Sequence, residues 1–276
     1  MELGISSLGY IIEFGITRNY NNLIELLVDA TKACLDFSEK NDLKVCELVI
    51  DPPEIIQEDF KYEFIELVNS YSVNKQIHGP FVDVNLCSHN KSISEASVES
   101  YIKTAKLCKE FQAEILTIHP GIANYMIKSI REFNKIQLKN AIDKLLNLTS
   151  SLDLTICLEN MPNSSHIMLD EKDIESIFKI IDHKDLFLTY DTSHFYTTNG
   201  NVNLLWEAFH EKIKNVHLVE NFTKKSDTHP PLGTGKIEFN RIFEIIRGYN
   251  YKGSLIIELS SAKDMQKSLD YIYKFV

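Results

Sequence analysis

The 276-residue sequence lacks any apolar stretch that approaches the roughly 18 to 20 residues of a membrane span. Its first ten residues, MELGISSLGY, also lack a basic region followed by an apolar run, so no signal peptide is predicted. No CxxC pair occurs, and the cysteines are odd in number: Cys34, Cys46, Cys87, Cys108 and Cys157. These deficits predict a cytoplasmic protein with reduced thiols and no membrane partner.

Arginine is scarce as well. Lys and Arg total 29 against 39 acidic residues, which gives a net charge of −10, and the only arginines are Arg18, Arg131, Arg241 and Arg247. A chain of this sign disfavours non-specific adhesion to nucleic acid or to anionic lipid. It leaves room for a local cleft that carries metal ions.

Short apolar runs, many of them β-branched, recur at residues 3–8, 45–50, 76–81, 115–119, 154–159, 186–191, 213–219 and 253–259. Such runs suit strands that are buried on both faces of a parallel sheet. Between them, apolar residues fall three and four apart, as in the stripe Leu23, Leu26, Leu27, Ala30, Cys34 and Phe37. Eight strands, each followed by a helix, predict an α/β protein with a (β/α)₈ TIM-barrel fold.

No linker or low-complexity segment divides the chain, so residues 1–276 are predicted to form a single domain. A doubly wound open sheet is the alternative architecture. It is disfavoured because no GxGxxG motif follows the first predicted strand.

Polar residues gather where six successive strands are predicted to end. The endings read QIHGPF, LTIHPG, CLENMP, LTYDTSHF, NVHLVEN and IIELSS, and they supply His78, His119, Glu159, Asp191 (with His194), His217 and Glu258. In a barrel, function gathers at this end of the strands. Imidazole and carboxylate are the usual ligands of zinc, manganese and related divalent ions, and cations would relieve the repulsion among three buried carboxylates. The pattern predicts a metal centre.

The segment SDTHPPLGTGKIEF, residues 226–239, adds Asp227 and His229 beside the same rim. Alternate residues of an extended segment face the same way, and Pro230 is expected to keep His229 extended, so both side chains should meet His194 around a metal. The competing interpretation is that Asp227 orients a substrate-binding His229 through a hydrogen bond, with no ion involved.

With these motifs in place, the chain resembles the xylose isomerase-like TIM-barrel superfamily over nearly its whole length. That superfamily includes sugar isomerases and epimerases and the endonuclease IV class of apurinic endonucleases. In the endonuclease branch the resemblance implies three zinc ions. His78, His119 and Glu159 would hold the first. Glu159, Asp191, His217 and Glu258 would hold the second, and His194, Asp227 and His229 the third.

In the epimerase branch the resemblance implies one ion, commonly manganese, on Glu159, Asp191, His217 and Glu258. The catalytic pair Glu159 and Glu258 would take and return a proton on opposite faces of a metal-chelated substrate. In the endonuclease branch, water activated by the metals would attack phosphorus in line, and the third metal would stabilise the leaving oxygen. The cofactors expected are therefore one to three divalent ions per chain, zinc or manganese.

The loops depart from the endonuclease pattern. HGPFVDVN stands where that branch usually reads HxSYLIN, DTSH lacks its Cys, and the acidic DPPEIIQEDF offers no Arg to a phosphate backbone. The sequence therefore favours a metal-dependent isomerase or epimerase of a small sugar or sugar phosphate. The alternative is an endonuclease IV-like trinuclear zinc phosphodiesterase acting on nucleic acid.

Overall fold

The computed structural model describes residues 1–56 and 58–276. In this part of the chain eight strands form one closed parallel barrel, in which each strand pairs with its neighbour in sequence and β8 pairs with β1. The strands are β1 (Glu2–Ser6), β2 (Val45–Val49), β3 (Asn74–His78), β4 (Ala113–Ile118), β5 (Thr155–Glu159), β6 (Leu186–Asp191), β7 (Ile213–Leu218) and β8 (Ser254–Ile257). The predicted TIM barrel is confirmed.

Helices follow the strands on the outside of the barrel. Their bounds are α1 (Leu8–Thr17), α2 (Leu23–Lys40), α3 (Glu58–Asn69), α4 (Lys91–Glu110), α5 (Lys128–Thr149), α6 (Glu171–Ile181), α7 (Thr192–Thr197), α8 (Val202–Phe209), α9 (Phe239–Gly248) and α10 (Met265–Ile272). Two helices follow β1 and two follow β6, so α1 and α7 are additions to the simple alternation of strand and helix. Both additions lie next to the carboxyl ends of the strands.

The core forms between the barrel and the helix layer. Every residue of β2 is buried, as expected for a strand covered on both faces. Helix α2 begins where the Asn22 side chain accepts a hydrogen bond from the Glu25 amide, and it buries Leu27, Ala30 and Cys34. The predicted stripe is incomplete, because Leu23 is 61% exposed.

Strand β3 ends at His78, three residues before the predicted end at position 81. The chain continues as Gly79-Pro80, and Pro80 has no amide hydrogen with which to extend the ladder. All five cysteines are free and buried. Among the described residues, no helix combines the length and the apolar character that crossing a bilayer requires.

Candidate metal centre

The nine predicted ligands all lie at the carboxyl end of the barrel. His78, Glu159 and Asp191 are the last residues of their strands, His217 lies in β7, and His119 and Glu258 directly follow β4 and β8. His194 lies in α7, and the last two ligands, Asp227 and His229, lie between β7 and α9. Contacts of 3.8 Å or less join all nine into one cluster.

Glu159 lies at the middle of the cluster and is 1% exposed. Its Oε2 lies 2.9 Å from His119 Nε2 and 3.5 Å from His78 Nε2. Its Oε1 lies 3.2 Å from His217 Nδ1 and 3.3 Å from His194 Nδ1. Because the two carboxylate oxygens face different histidines, the side chain has the arrangement that bridging two cations would need.

Three carboxylate oxygens lie near His217 Nδ1. This nitrogen is 3.2 Å from Glu159 Oε1, 3.8 Å from Asp191 Oδ2 and 3.8 Å from Glu258 Oε2. Ligands at bond lengths of about 2.0 to 2.2 Å around a tetrahedral ion would be about 3.4 Å apart. Asp191 Oδ2 and Glu258 Oε2 are buried and have no hydrogen-bond donor. These unpartnered oxygens fit a divalent cation, since burying a charged oxygen without a partner is costly.

A second group joins His194, Asp227 and His229. Asp227 Oδ2 lies 3.1 Å from His194 Nε2 and 2.9 Å from His229 Nε2, while the Ser193 hydroxyl donates to Asp227 Oδ1. These distances fit both earlier interpretations, a shared metal and an aspartate that orients a histidine. One expectation was wrong: His229 is not extended but has φ of 45°. The left-handed backbone still brings its ring to Asp227, because the loop turns there.

Outer contacts fix the orientation of three histidine rings. His78 Nδ1 donates to the Gly79 carbonyl at 2.8 Å, and His194 Nδ1 donates to the Asn160 carbonyl at 2.9 Å. Each donation leaves Nε2 of that ring free to bind a metal. His217 is held at its Nε2, which lies 3.1 Å from Glu47 Oε2. Histidine ligands of metals are commonly held in this way.

Glu47 was missed by the sequence analysis. It lies in β2, is fully buried, and its Oε2 also accepts hydrogen bonds from Gln76 Nε2 at 2.7 Å and Asn215 Nδ2 at 3.1 Å. The available signal was an acid at the centre of the apolar run VCELVI. Carboxylates are rarely buried completely unless they are paired, and the partner here is His217.

Burial and the charges of neighbouring residues shift the pKa values of the carboxylates in the cluster. Burial alone would raise the pKa of Glu159, but the fields of His217 and His119 outweigh it and lower that pKa well below its usual range. Burial acts on Glu258 in the same direction, yet the contact with His229, whose Nδ1 lies 3.2 Å from Glu258 Oε1, and the field of His217 lower its pKa to about 2. Burial raises the pKa of Asp191 to about 7 against the field of His194. Most of these carboxylates are therefore ionised at neutral pH.

The loop after β7 is organised by a buried acid, Glu220. Its Oε1 accepts hydrogen bonds from the amides of Asn221 and Ile237, both at 3.0 Å, and its Oε2 accepts one from the Gly233 amide at 3.1 Å. A Cβ on Gly235 would lie 2.4 Å from Glu220 Oε1, so only glycine allows this approach. The GTG motif therefore wraps around a carboxylate of the chain itself.

A cavity of about 610 Å³ opens over the cluster. It is lined by seven of the nine residues, His78, His119, Glu159, His194, Asp227, His229 and Glu258, with Phe81, Met161 and Ile122 among the apolar walls. Among the described residues that line it there is no lysine or arginine. The volume lies within the range of about 300 to 1,000 Å³ that is typical of small-molecule sites.

The barrel and the nine-residue cluster at its carboxyl end define the class of protein. A family model described as xylose isomerase-like TIM barrel matches residues 24–275, and the chain belongs to that family. The chain is 26% identical to the uncharacterized protein MJ1311 of Methanocaldococcus jannaschii, over 100% of this chain and 89% of that protein. It is 24% identical to the probable endonuclease 4 of Mycoplasma pneumoniae, over 70% of each.

The crystal structure of a D-tagatose 3-epimerase-like protein superposes with a TM-score of 0.81 at 23% identity. The superposition covers 100% of this chain and 97% of that one. At this level of identity, the likeness concerns the fold alone. Both branches of the family expected from the sequence are thus represented among proteins that resemble this chain.

Proposed function

We propose that the protein is a divalent-metal-dependent isomerase or epimerase that acts on a small sugar-like compound with a hydroxyl group next to a carbonyl. The observation that carries this proposal is the small cavity above the cluster, which has no lysine or arginine among its described lining residues. A nucleic-acid backbone or a phosphate group depends on such residues for much of its binding energy.

Glu159, Asp191, His217 and Glu258 would hold the ion, because an oxygen of each acid lies within 3.8 Å of His217 Nδ1 and two of these oxygens lack donors. A divalent ion at this position would act as a Lewis acid that makes the hydrogen on the carbon beside the carbonyl more acidic. Glu159 and Glu258 would take and return this proton. Ionised carboxylates can accept it, and the lowered pKa values of both side chains keep them ionised.

The test is hydrogen exchange at carbon in D₂O with manganese-loaded protein, followed by ¹H NMR on a panel of ketohexoses that includes D-tagatose. We expect the signal of the hydrogen beside the carbonyl to disappear. Glu159→Gln and Glu258→Gln should abolish the exchange while circular dichroism stays unchanged. Glu238→Gln, at an exposed position, is the matched control and should retain it.

A second function is favoured by one observation. His78, His119, His194, Asp227 and His229 are surplus to a mononuclear proton-transfer site, yet all five lie within the cluster. A trinuclear zinc phosphodiesterase would use them. Metal content separates the two functions: one ion per chain supports the epimerase, whereas three ions with cleavage of abasic-site DNA and no exchange at carbon would overturn the first proposal.

A further inference from the structure

A second cavity, of about 600 Å³, adjoins the cavity over the metal centre. The two share Leu8, Phe81, Asp83, Asp227 and His229 in their walls, so they lie side by side at the rim of the barrel. The second cavity extends from that boundary toward α1, the beginning of α2 and the chain that follows β2.

The walls of the second cavity are mostly apolar. Its apolar lining residues are Leu8, Ile11, Ile12, Leu23, Leu26, Leu27, Val49, Pro52, Ile55, Phe81 and Val82. Two of them lie far out of the core, since Leu23 is 61% exposed and Val82 is 57% exposed. Contiguous apolar surface of this kind, beside a polar site, marks a place where another apolar group binds.

The charged residues that line the cavities indicate which class of ligand can bind there. No described lining residue of either cavity is a lysine or an arginine. The acids Asp51, Asp83 and Asp227 border the second cavity, and Asp51 Oδ2 is already engaged by the Phe81 and Val82 amides at 3.0 Å and 2.9 Å. His229 is the histidine among the described lining residues of the second cavity, so three acids face one histidine and the walls carry a net negative charge. Because like charges repel in a poorly solvated cleft, a phosphate or carboxylate would be disfavoured there.

We infer that the second cavity binds an uncharged apolar part of the substrate, such as an alkyl chain or an aryl ring, while the hydroxy-carbonyl end lies at the metal centre. The assignment of the reacting end rests on the proposed function. The apolar cavity itself does not, because its size, its walls and the absence of lysine and arginine from its described lining residues are independent of any reaction. The substrate is thus an uncharged compound with one polar and one apolar end.

Binding can be measured without any activity. The fluorescence of the uncharged dye N-phenyl-1-naphthylamine is followed as it binds the purified protein, and 1-alkanols from butanol to octanol are used to displace it. We expect the dissociation constant of the alkanol to fall about fourfold per added methylene until the cavity is filled. Alkyl phosphates of the same length should displace the dye more weakly than the alkanols.

Two substitutions locate the dye. Leu23→Glu places a charge at the mouth of the cavity, at a helix N-terminus that tolerates an acid, and should weaken dye binding by about tenfold or more. Leu204→Glu is the matched control, because Leu204 is 45% exposed near the beginning of α8 and lines neither cavity. Equal dye affinity in the two variants, or alkyl phosphates that bind as well as the alkanols, would overturn the inference.

A kinetic comparison connects the cavity to the metal centre. Exchange at carbon is measured for hydroxyacetone and for 1-hydroxy-2-octanone. We expect kcat/KM to be higher for the longer ketone, and the ratio of the two to fall in Leu23→Glu but not in Leu204→Glu. Exchange on hydroxyacetone with no gain from the chain would contradict the inference and leave the proposed function standing. No exchange on either ketone, with the expected dye result, would contradict the function alone.

Discussion

Glu47 is a buried acid outside the nine predicted ligands, and it contacts one of them, His217. Glu47 Oε2 contacts Nε2 of the His217 ring, while Nδ1 of the same ring faces Glu159. A carboxylate in this position fixes the tautomer of the ring and increases the basicity of the nitrogen that faces the metal. His217 would thereby present Nδ1 as a neutral ligand.

We predict that Glu47→Gln weakens zinc binding by about 10- to 100-fold while the barrel remains folded. Glutamine has the same shape, but it removes the charge that polarises the His217 ring. The affinity is measured by competition with a fluorescent zinc chelator. Glu114→Gln, an exposed acid on β4, serves as control, and equal affinities in the two variants would contradict the positioning role of Glu47.

At the scale of single residues, the sequence predicted the nine residues of the cluster but not Glu47, which contacts one of them. Nine residues could be found because each combines a ligand type with a strand ending or with the DTH motif. Glu47 could not be found in the same way. An acid within an apolar run can face solvent or the barrel interior, and only the closed sheet places it beside His217, 170 residues away in sequence.

The loop that carries Asp227 and His229 is stabilised by hydrogen bonds to the Glu220 carboxylate. Three backbone amides from both ends of the loop donate to this carboxylate, which is 1% exposed. Asn221 adds two contacts, because its Nδ2 donates to the Ser226 carbonyl at 2.6 Å and its Oδ1 accepts from the Thr228 hydroxyl at 3.0 Å. The loop is thus held from inside, immediately before and after Asp227.

We predict that Glu220→Gln lowers the free energy of unfolding by about 1 to 3 kcal/mol. The NH₂ group of glutamine is a donor, so in the variant at least one backbone amide that donates to Glu220 would lose its acceptor. The zinc content of the protein should also fall, since Asp227 and His229 lose their fixed position. Urea unfolding and elemental analysis provide the two measurements.

Glu238→Gln lies at the exposed end of the same segment and should change neither quantity. If Glu220→Gln proved as stable and as zinc-rich as the control, Glu220 would have no role in organising the loop.

Helices α1 and α7 were not predicted from the sequence, which indicated one helix after each strand. The apolar stripe of α2 was visible in the sequence, although its first residue, Leu23, is exposed in the structure. By contrast, α1 has the sequence LGYIIEFGIT, in which apolar residues occur on all sides. Such a segment has no clear helical period, and it contains two glycines, which disfavour a helix interior. The apolar cavity is partly built from α1, so it could not be predicted either.

For the whole molecule, the closed barrel joins the two ends of the described chain, because β1 pairs with β8. The repeat of eight apolar runs was sufficient to predict this closure, since parallel strands with intervening helices leave few alternatives at this length. From the closure we infer that residues 1–276 unfold as one domain. A single transition in both circular dichroism and tryptophan fluorescence of Trp206 would support this inference.

Two histidines of the cluster, His78 and His229, have raised pKa values. Burial would lower the pKa of His78, but the hydrogen bond and charge of Glu159 raise it to about 9. Burial acts on His229 in the same way, and the hydrogen bond to Asp227 together with the nearby carboxylate of Glu258 raises its pKa to about 10. The protons on these two rings stabilise the folded chain fully below the usual histidine pKa of about 6.5, and the stabilisation is lost as the pH rises through 9 and 10.

We therefore predict that zinc affinity increases as the pH is raised from about 6 to about 9, because a nitrogen that binds metal must first lose its proton. Calorimetric titrations in buffers with different ionisation enthalpies should show proton release on zinc binding. His78→Asn should reduce the number of protons released, whereas His89→Asn, at an exposed position, should not. Zinc binding that is independent of pH would contradict this account.

His229 has a further consequence, which concerns the balance between stability and activity. Its φ of 45° precedes Pro230, a combination that costs a non-glycine residue roughly 1 to 2 kcal/mol. Without metal, His229→Gly should therefore be more stable than His229→Ala in urea unfolding, whereas at Thr228 the alanine variant should be the more stable one. The opposite order at His229 would contradict the strain. If His229→Gly is the more stable variant, the chain retains a locally unfavourable backbone conformation that keeps an imidazole over the cavity. A screen for stabilising substitutions would then select changes at position 229, and those changes would remove a residue of the site.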